Sequence, residues 1–333
     1  MKSDNAESVK SPETSTSNRV LQALERPEVN RILILAIIAA LLYYVAPMFF
    51  RLGNLELVLA WGSIFAIMAM GEMLALLVGG FDLSVEGMVS LSSVWAAILM
   101  AWYGIPVWLA ILISLLTCMG IGFMSGYFST YFSPPYPFLF PVFIFTLTLH
   151  FVLKGMVQGV TGALPVTPIP SQFGIITGSL FSIPLVFIYM IIIAGLLSFF
   201  LYMKPIGWKI YATGQDDEAA RYTGVNTTRV RIIAYMGSAT LIGFGGILAA
   251  SRLQSASFQM GEGYLLTILA ATIIGGVSLS GGEGSPIMAI IGGFLIYLVQ
   301  NLVVALGVSS YLQNSFLGIL IIIFVSYDFI RSS

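Results

Sequence analysis

Four carboxylates stand in or beside long apolar runs: Glu72, Asp82, Glu86 and Glu283. A charge at the centre of a bilayer costs about 2.5–3.5 kcal/mol on insertion scales, so it must face protein, water or a partner. Glu72 lies deepest in its run. It reads either as a pathway or gate residue or as a protonated or paired group at a helix interface. Asp82 and Ser84 stand just ahead of the next run, where an oxygen can accept the first N–H groups of a helix. That capping role is preferred here over a pathway role. Glu86 then falls in the first turn, where the helix dipole tolerates it. His150 and Lys154 lie four apart on one helix face, near the outer end of their run. They could meet a polar solute there, but snorkelling to the membrane interface is the preferred reading.

The run Gly275 to Ser285 is glycine-rich but lacks the Gly-Lys-Ser/Thr ending that grips phosphates and Mg²⁺. Its glycines suit close backbone approach, or a helix break lined by protein or water. Gly79-Gly80-Phe81-Asp82-Leu83-Ser84 and Gly275-Gly276-Val277-Ser278-Leu279-Ser280 share the pattern G-G-x-[DS]-L-S, one in each half of the chain. Paired glycine interruptions of this kind point to an internal repeat with a pathway between the halves, against chance similarity of six residues. Glu72, Asp82, Ser84, Gly275, Gly276 and Ser278 are therefore the candidate pathway or gate residues. Nothing suggests catalysis. Cys118 and His150 are the only residues of their kinds, so no internal disulfide, Cys cluster or His-rich metal site can form. No cofactor is expected.

The elements that must position these residues are long and apolar. Of 333 residues, 58% are hydrophobic and 9% charged, against about 25% charged in a soluble domain. Mean hydropathy is +0.96. With about 20 residues needed per crossing, spans are expected near 32–50, 56–78, 85–103, 106–130, 138–157, 181–203, 230–250, 265–279, 286–306 and 312–330. The eighth is short and glycine-bounded, which suits a broken or re-entrant element. This is an all-α polytopic membrane protein of about ten transmembrane helices. Residues 1–30 are rich in Ser, Thr and Glu and read as a disordered cytoplasmic tail, not as a signal peptide. Residues 31–333 form the transmembrane domain.

Basic residues set the orientation. Lys2, Lys10, Arg19, Arg26 and Arg31 in the tail, Lys204, Lys209, Arg221, Arg229 and Arg231 after the sixth span, and Arg331 all fall on one side when the count is even. Only Arg51, Lys154 and Arg252 fall on the other. Both termini are thus expected in the cytoplasm. The uncharged 158–180 segment then lies outside, as a plain connector or as a loop at the mouth of a pore.

The largest polar insertion, 204–229, faces the cytoplasm in this topology. Its centre, Asp216-Asp217-Glu218-Ala219-Ala220-Arg221-Tyr222, reads as a short helix with acidic residues in its first turn and Gly224 as its stop. Such a helix is either a lever that carries force from a soluble partner or a solvated link between two halves.

Glu218-Ala219-Ala220 followed by Gly224 resembles the E-A-A-x-x-x-G loop of ABC importer permeases. The stretch Gly207 to Gly224, Gly79 to Val85, Gly261-Glu262-Gly263-Tyr264, Ile274 to Ser285 and Leu306 to Ser310 resemble the ribose-type (monosaccharide) branch, related to branched-chain amino acid permeases. The resemblance runs from about residue 55 to the C-terminus. Glu86 departs from the glycine usual there, Glu283 from a frequent arginine, and Ser133-Pro134-Pro135-Tyr136-Pro137 reads as an insertion. The resemblance implies a type II importer fold in the cytoplasmic (inner) membrane. It implies ATPase coupling through Asp217, Glu218, Ala219, Ala220, Arg221 and Gly224. It also implies three partners: cytosolic ABC ATPase subunits, an extracytoplasmic solute-binding protein and a second permease copy or homologue. A stand-alone secondary transporter is the rival reading, with Glu72 its main ion-coupling candidate. A membrane-embedded enzyme would need a convergent nucleophile, base or metal set, and the sequence has none.

Overall fold

The computed structural model describes residues 52–132 and 139–305, with a few single positions outside them. The expected tail over 1–30, the spans at 32–50 and 312–330, and the stretches 133–137 and 306–310 lie outside these two segments.

In chain order the elements are α1 (Leu52–Leu77), α2 (Val85–Ala101), α3 (Val107–Tyr131) and α4 (Leu139–Thr161). A 3-10 turn (Ser171–Thr177) and a hairpin of β1 (Ser179–Leu180) and β2 (Ile183–Pro184) follow. Then come α5 (Leu185–Met203), α6 (Pro205–Gln215), α7 (Asp217–Tyr222), α8 (Thr227–Leu253), α9 (Tyr264–Gly275) and α10 (Pro286–Ala305). Among the described residues, α1, α3, α4, α5, α8 and α10 are long and apolar enough to cross a membrane. These helices are apolar on every side, as membrane spans are, not striped like the helices of a soluble protein.

The expected runs from 56–78 through 286–306 are all helical, with ends displaced by a few residues. The expected eighth span is cut short. α9 stops at Gly275 because Gly276 takes the left-handed conformation (φ +107°). Its 12 residues rise only about 18 Å, short of a ~30 Å hydrocarbon core. The sixth span starts at Leu185, not 181, because Phe181 and Ser182 turn with positive φ (50° and 66°) and close the β1–β2 hairpin. That hairpin is a small exception to an all-α reading. The 158–180 segment is more than a link. Val166 pairs with Ala256, Phe173 is fully buried, and Ser251 donates to the Phe173 carbonyl at 2.6 Å.

α1 and α8 form the centre and are mostly buried, whereas α3, α4 and α5 at the rim are mostly exposed. Small residues allow the central contacts. The Gly122/Gly126 pair of α3 lies on α8: a Cβ on Gly126 would stand 2.6 Å from the Ile232 Cα. This is the packing role expected of G-x-x-x-G. α9 crosses α10 where Gly275 faces the Met288 carbonyl and Gly292 faces the Ala271 carbonyl.

Candidate functional site

The polar 204–229 stretch folds into two helices, where a single one was expected. α6 begins with Pro205 at its first position, where a missing N–H costs nothing. α7 then forms where the acidic cluster predicts it. Asp216 is its N-cap, accepting from the Ala219 N–H at 2.9 Å. It ends in a Schellman motif: the Val225 N–H donates to the Ala220 carbonyl and the Gly224 N–H to the Arg221 carbonyl, with Gly224 at φ +84°. Ala220 is the buried face of α7, while Glu218, Ala219, Arg221 and Gly224 are exposed.

Asp217 fixes this helix to the bundle. Its carboxylate pairs with Arg221 one turn on, at 3.0 Å, and with Arg231 of α8, at 3.2 Å. Arg231 is only 4% exposed. Arg221 Nε also donates to Thr227 Oγ1 at 3.0 Å. Arg231 counted in the sequence only as one of several basic residues, and its role as the anchor of α7 was missed. The signal was its place one turn inside the helix that follows the acidic cluster.

Glu72, Asp82 and Ser84 come together. α1 ends in its own Schellman motif at Gly79 (φ +77°), with Gly80 N–H on the Ala75 carbonyl and Gly79 N–H on the Leu76 carbonyl. The chain then climbs to α2 as an irregular segment. Asp82 N–H donates to Glu72 Oε1 at 3.0 Å, and Tyr235 of α8 donates to the Phe81 carbonyl at 3.1 Å. Both carboxylates are 1% exposed. One oxygen of Glu72 thus clasps 80–84 to α1, while its Oε2 is buried without a hydrogen-bond partner among the described residues. The capping expectation is corrected in part. Ser84 holds the N-cap position of α2 but makes no side-chain cap. Its N–H and hydroxyl both turn back to Asp82 Oδ1, at 2.9 and 2.5 Å.

Gly275, Gly276 and Ser278 lie where α9 ends and turns into the following loop. Gly276 caps α9 with Gly276 N–H on the Ile273 carbonyl and Val277 N–H on the Thr272 carbonyl. This matches the cap at Gly79, one residue out of register with the shared G-G motif. Ser278 closes the following loop: its N–H donates to the Glu283 carbonyl and its Oγ accepts from Ser280 N–H.

His150 and Lys154 do not snorkel. They lie in the middle of α4 and turn inward to Glu86, with Lys154 Nζ at 3.7 Å and His150 Nε2 at 4.0 Å from its Oε2. The other oxygen of Glu86 accepts from Gly263 N–H at 2.9 Å and Leu265 N–H at 3.4 Å, at the start of α9. One carboxylate thereby ties α2, α4 and α9 together. At the end of the bundle far from α6 and α7, a cavity of about 470 Å³ opens between α1, the 3-10 turn and the end of α8. Trp61, Thr177, Arg252 and Gln254 line it. Among the described residues no three His, Cys, Asp or Glu side chains are grouped to hold a metal.

Six long apolar helices among the described residues, packed in one bundle with an exposed helix pinned to it, define a multi-pass membrane protein. The chain belongs to the family described as "Branched-chain amino acid transport system / permease component", which it matches over residues 54–325. It is 30% identical to the ribose import permease protein RbsC of Escherichia coli (strain K12) over 310 residues, covering 90% of this chain and 93% of that one. It is 32% identical to RbsC of Bacillus subtilis (strain 168) over 298 residues, 89% of each chain. It is 30% identical to the D-allose transport system permease protein AlsC of E. coli (strain K12) over 298 residues, again 89% of each. No solved structure matches it. The chain is the membrane permease subunit of an ABC importer, a transport component and not an enzyme, with ATP hydrolysis on a separate subunit. That membership favours the ATP-driven importer over a stand-alone secondary transporter.

Proposed function

We propose that this permease imports a monosaccharide or a similar small polyhydroxy solute by alternating access, with α7 as the contact for its ATPase. The observation that carries the proposal is the mounting of α7. It is exposed along Glu218, Ala219 and Arg221 and rigidly joined to α8 through Asp217 and Arg231. A push on a helix held in this way moves α8, and α8 packs on α1, α2 and α3. The α6–α7 end faces the cytosol, with both termini on that side. The sidedness of basic residues supports this orientation. A second permease copy or homologue completes the pathway, and an extracytoplasmic binding protein delivers solute at the far end. The ribose and allose permeases among its relatives support a sugar as solute.

The test is reconstitution into proteoliposomes with the ATPase and binding protein, and uptake of a panel of pentoses, hexoses, polyols and nucleosides. Uptake of one sugar class driven by ATP is expected. Glu218→Ala and Gly224→Ala are each expected to lower the solute moved per ATP about five-fold. For Gly224 the cause is the strain of a side chain at φ +84°. Fully coupled transport in both variants would defeat the role given to α7.

A further inference from the structure

α6 has a second connection to the bundle, separate from the Asp217–Arg231 pair. Gly214, next to last in α6, sits where the loop after α1 meets the loop before α10. A Cβ on Gly214 would overlap the Leu77 carbonyl and stand 2.5 Å from the Gly282 nitrogen. Gly282 N–H itself donates to the Leu77 carbonyl at 3.1 Å. A Cβ on Gly281 would stand 2.8 Å from the Gly214 carbonyl and 2.9 Å from the Gly79 Cα. Three backbones, from 77–79, 214 and 281–282, thus touch directly, with no side chain between them to yield. Tyr211, one turn earlier in α6, adds a fourth tie: its hydroxyl donates to the Gly284 carbonyl at 2.8 Å. Burial, and then the neighbouring Tyr202, push that hydroxyl above the ordinary phenol range, so it remains a donor.

We infer that this glycine joint carries the movement of α6–α7 to α1 and to the loop between α9 and α10, and that Gly214 is its positioning residue. The inference rests on the reading of α7 as the ATPase contact. The ion pair delivers the stroke to α8, and the joint delivers it to the remaining central helices. The Leu77 carbonyl at the end of α1 and Gly281–Gly282 in the loop before α10 are the two surfaces against which α6 bears. Backbone contact suits this role because packed interiors shift between discrete arrangements and do not deform gradually.

The experiment uses the full complex in proteoliposomes, with ATPase, binding protein and transported sugar. It reads ATP hydrolysis and uptake together. Gly214→Ala is expected to leave ATPase copurification and ATP hydrolysis in place while the sugar moved per ATP falls about ten-fold. Tyr211→Phe, which removes one hydroxyl and fills no space, is expected to lower the same ratio about two- to three-fold. Gly195→Ala, at a position in α5 with nothing within 4 Å, is expected to match the wild type. A merely structural role would lower hydrolysis and uptake together and leave their ratio unchanged. An unchanged ratio in assembled Gly214→Ala complex overturns the inference. If that variant does not assemble, Tyr211→Phe decides: a lowered ratio supports the joint and an unchanged one overturns it. Uptake by wild-type protein without any ATPase would overturn the reading of α7 itself, a result visible before any variant is compared.

Discussion

Glu86 holds three helices with one carboxylate, and its removal has two separable consequences. Lys154, 21% exposed, would lose its counter-charge, and the Gly263 and Leu265 N–H groups would lose their acceptor. Glu86→Ala is expected to destabilise the protein by about 2–3 kcal/mol, read as a lower melting temperature in mild detergent. Glu86→Gln keeps an acceptor for α9 and should lose less. Adding Lys154→Met to Glu86→Gln should recover part of the loss, because the stranded cation is gone. Equal losses in all three variants would contradict this account of the site. A residue-level reading of sequence could not find the pair. His150 and Lys154 look like interfacial residues from their own neighbourhood, and their partner lies more than sixty positions away. Glu72 shows the same limit. Its burial was legible from the apolar run, but its clasp on the Asp82 N–H depends on how the chain leaves α1.

At the scale of elements, α7 was legible because local chemistry specifies it. Asp216 caps the start, acidic residues follow, and Gly224 accepts the left-handed conformation that ends the helix. α6 was not legible, since Gly207 and Gly214 depress helix propensity. They are there for contact: Gly207 lies against the Leu201 carbonyl as Gly214 does against that of Leu77. Pro205 at the first helical position was the available signal. The β1–β2 hairpin was missed because Phe181 and Ser182 do not advertise positive φ. The mounting of α7 makes its own prediction. Asp217→Ala leaves Arg231 buried without its carboxylate, at an expected loss of about 3 kcal/mol. The double variant Asp217→Ala/Arg231→Met should melt closer to wild type while transport remains uncoupled. Recovery of transport along with stability would mean that the pair holds the fold but carries no force.

At the scale of the whole molecule, the apolar runs foretold the described apolar helices to within a few residues, because length against bilayer thickness is a strong constraint. Depth was harder to read. α2 and α9 start inside the bundle, where Glu86 and the start of α9 meet, and only packing reveals this. The arrangement is a bundle of apolar helices with two connections to one polar projection. The orientation that puts α7 in the cytosol predicts that Ala219→Cys, in a background with Cys118 replaced, reacts with a membrane-impermeant thiol reagent only from the cytosolic face. Labelling from the outer face would reverse the topology.

The most direct test of the central claim is uptake of the transported sugar by proteoliposomes, with and without the ATPase subunit, under identical solute and ion gradients. Accumulation that requires both the ATPase and ATP, and stops when either is withheld, is the predicted result. Accumulation by this chain alone would contradict it.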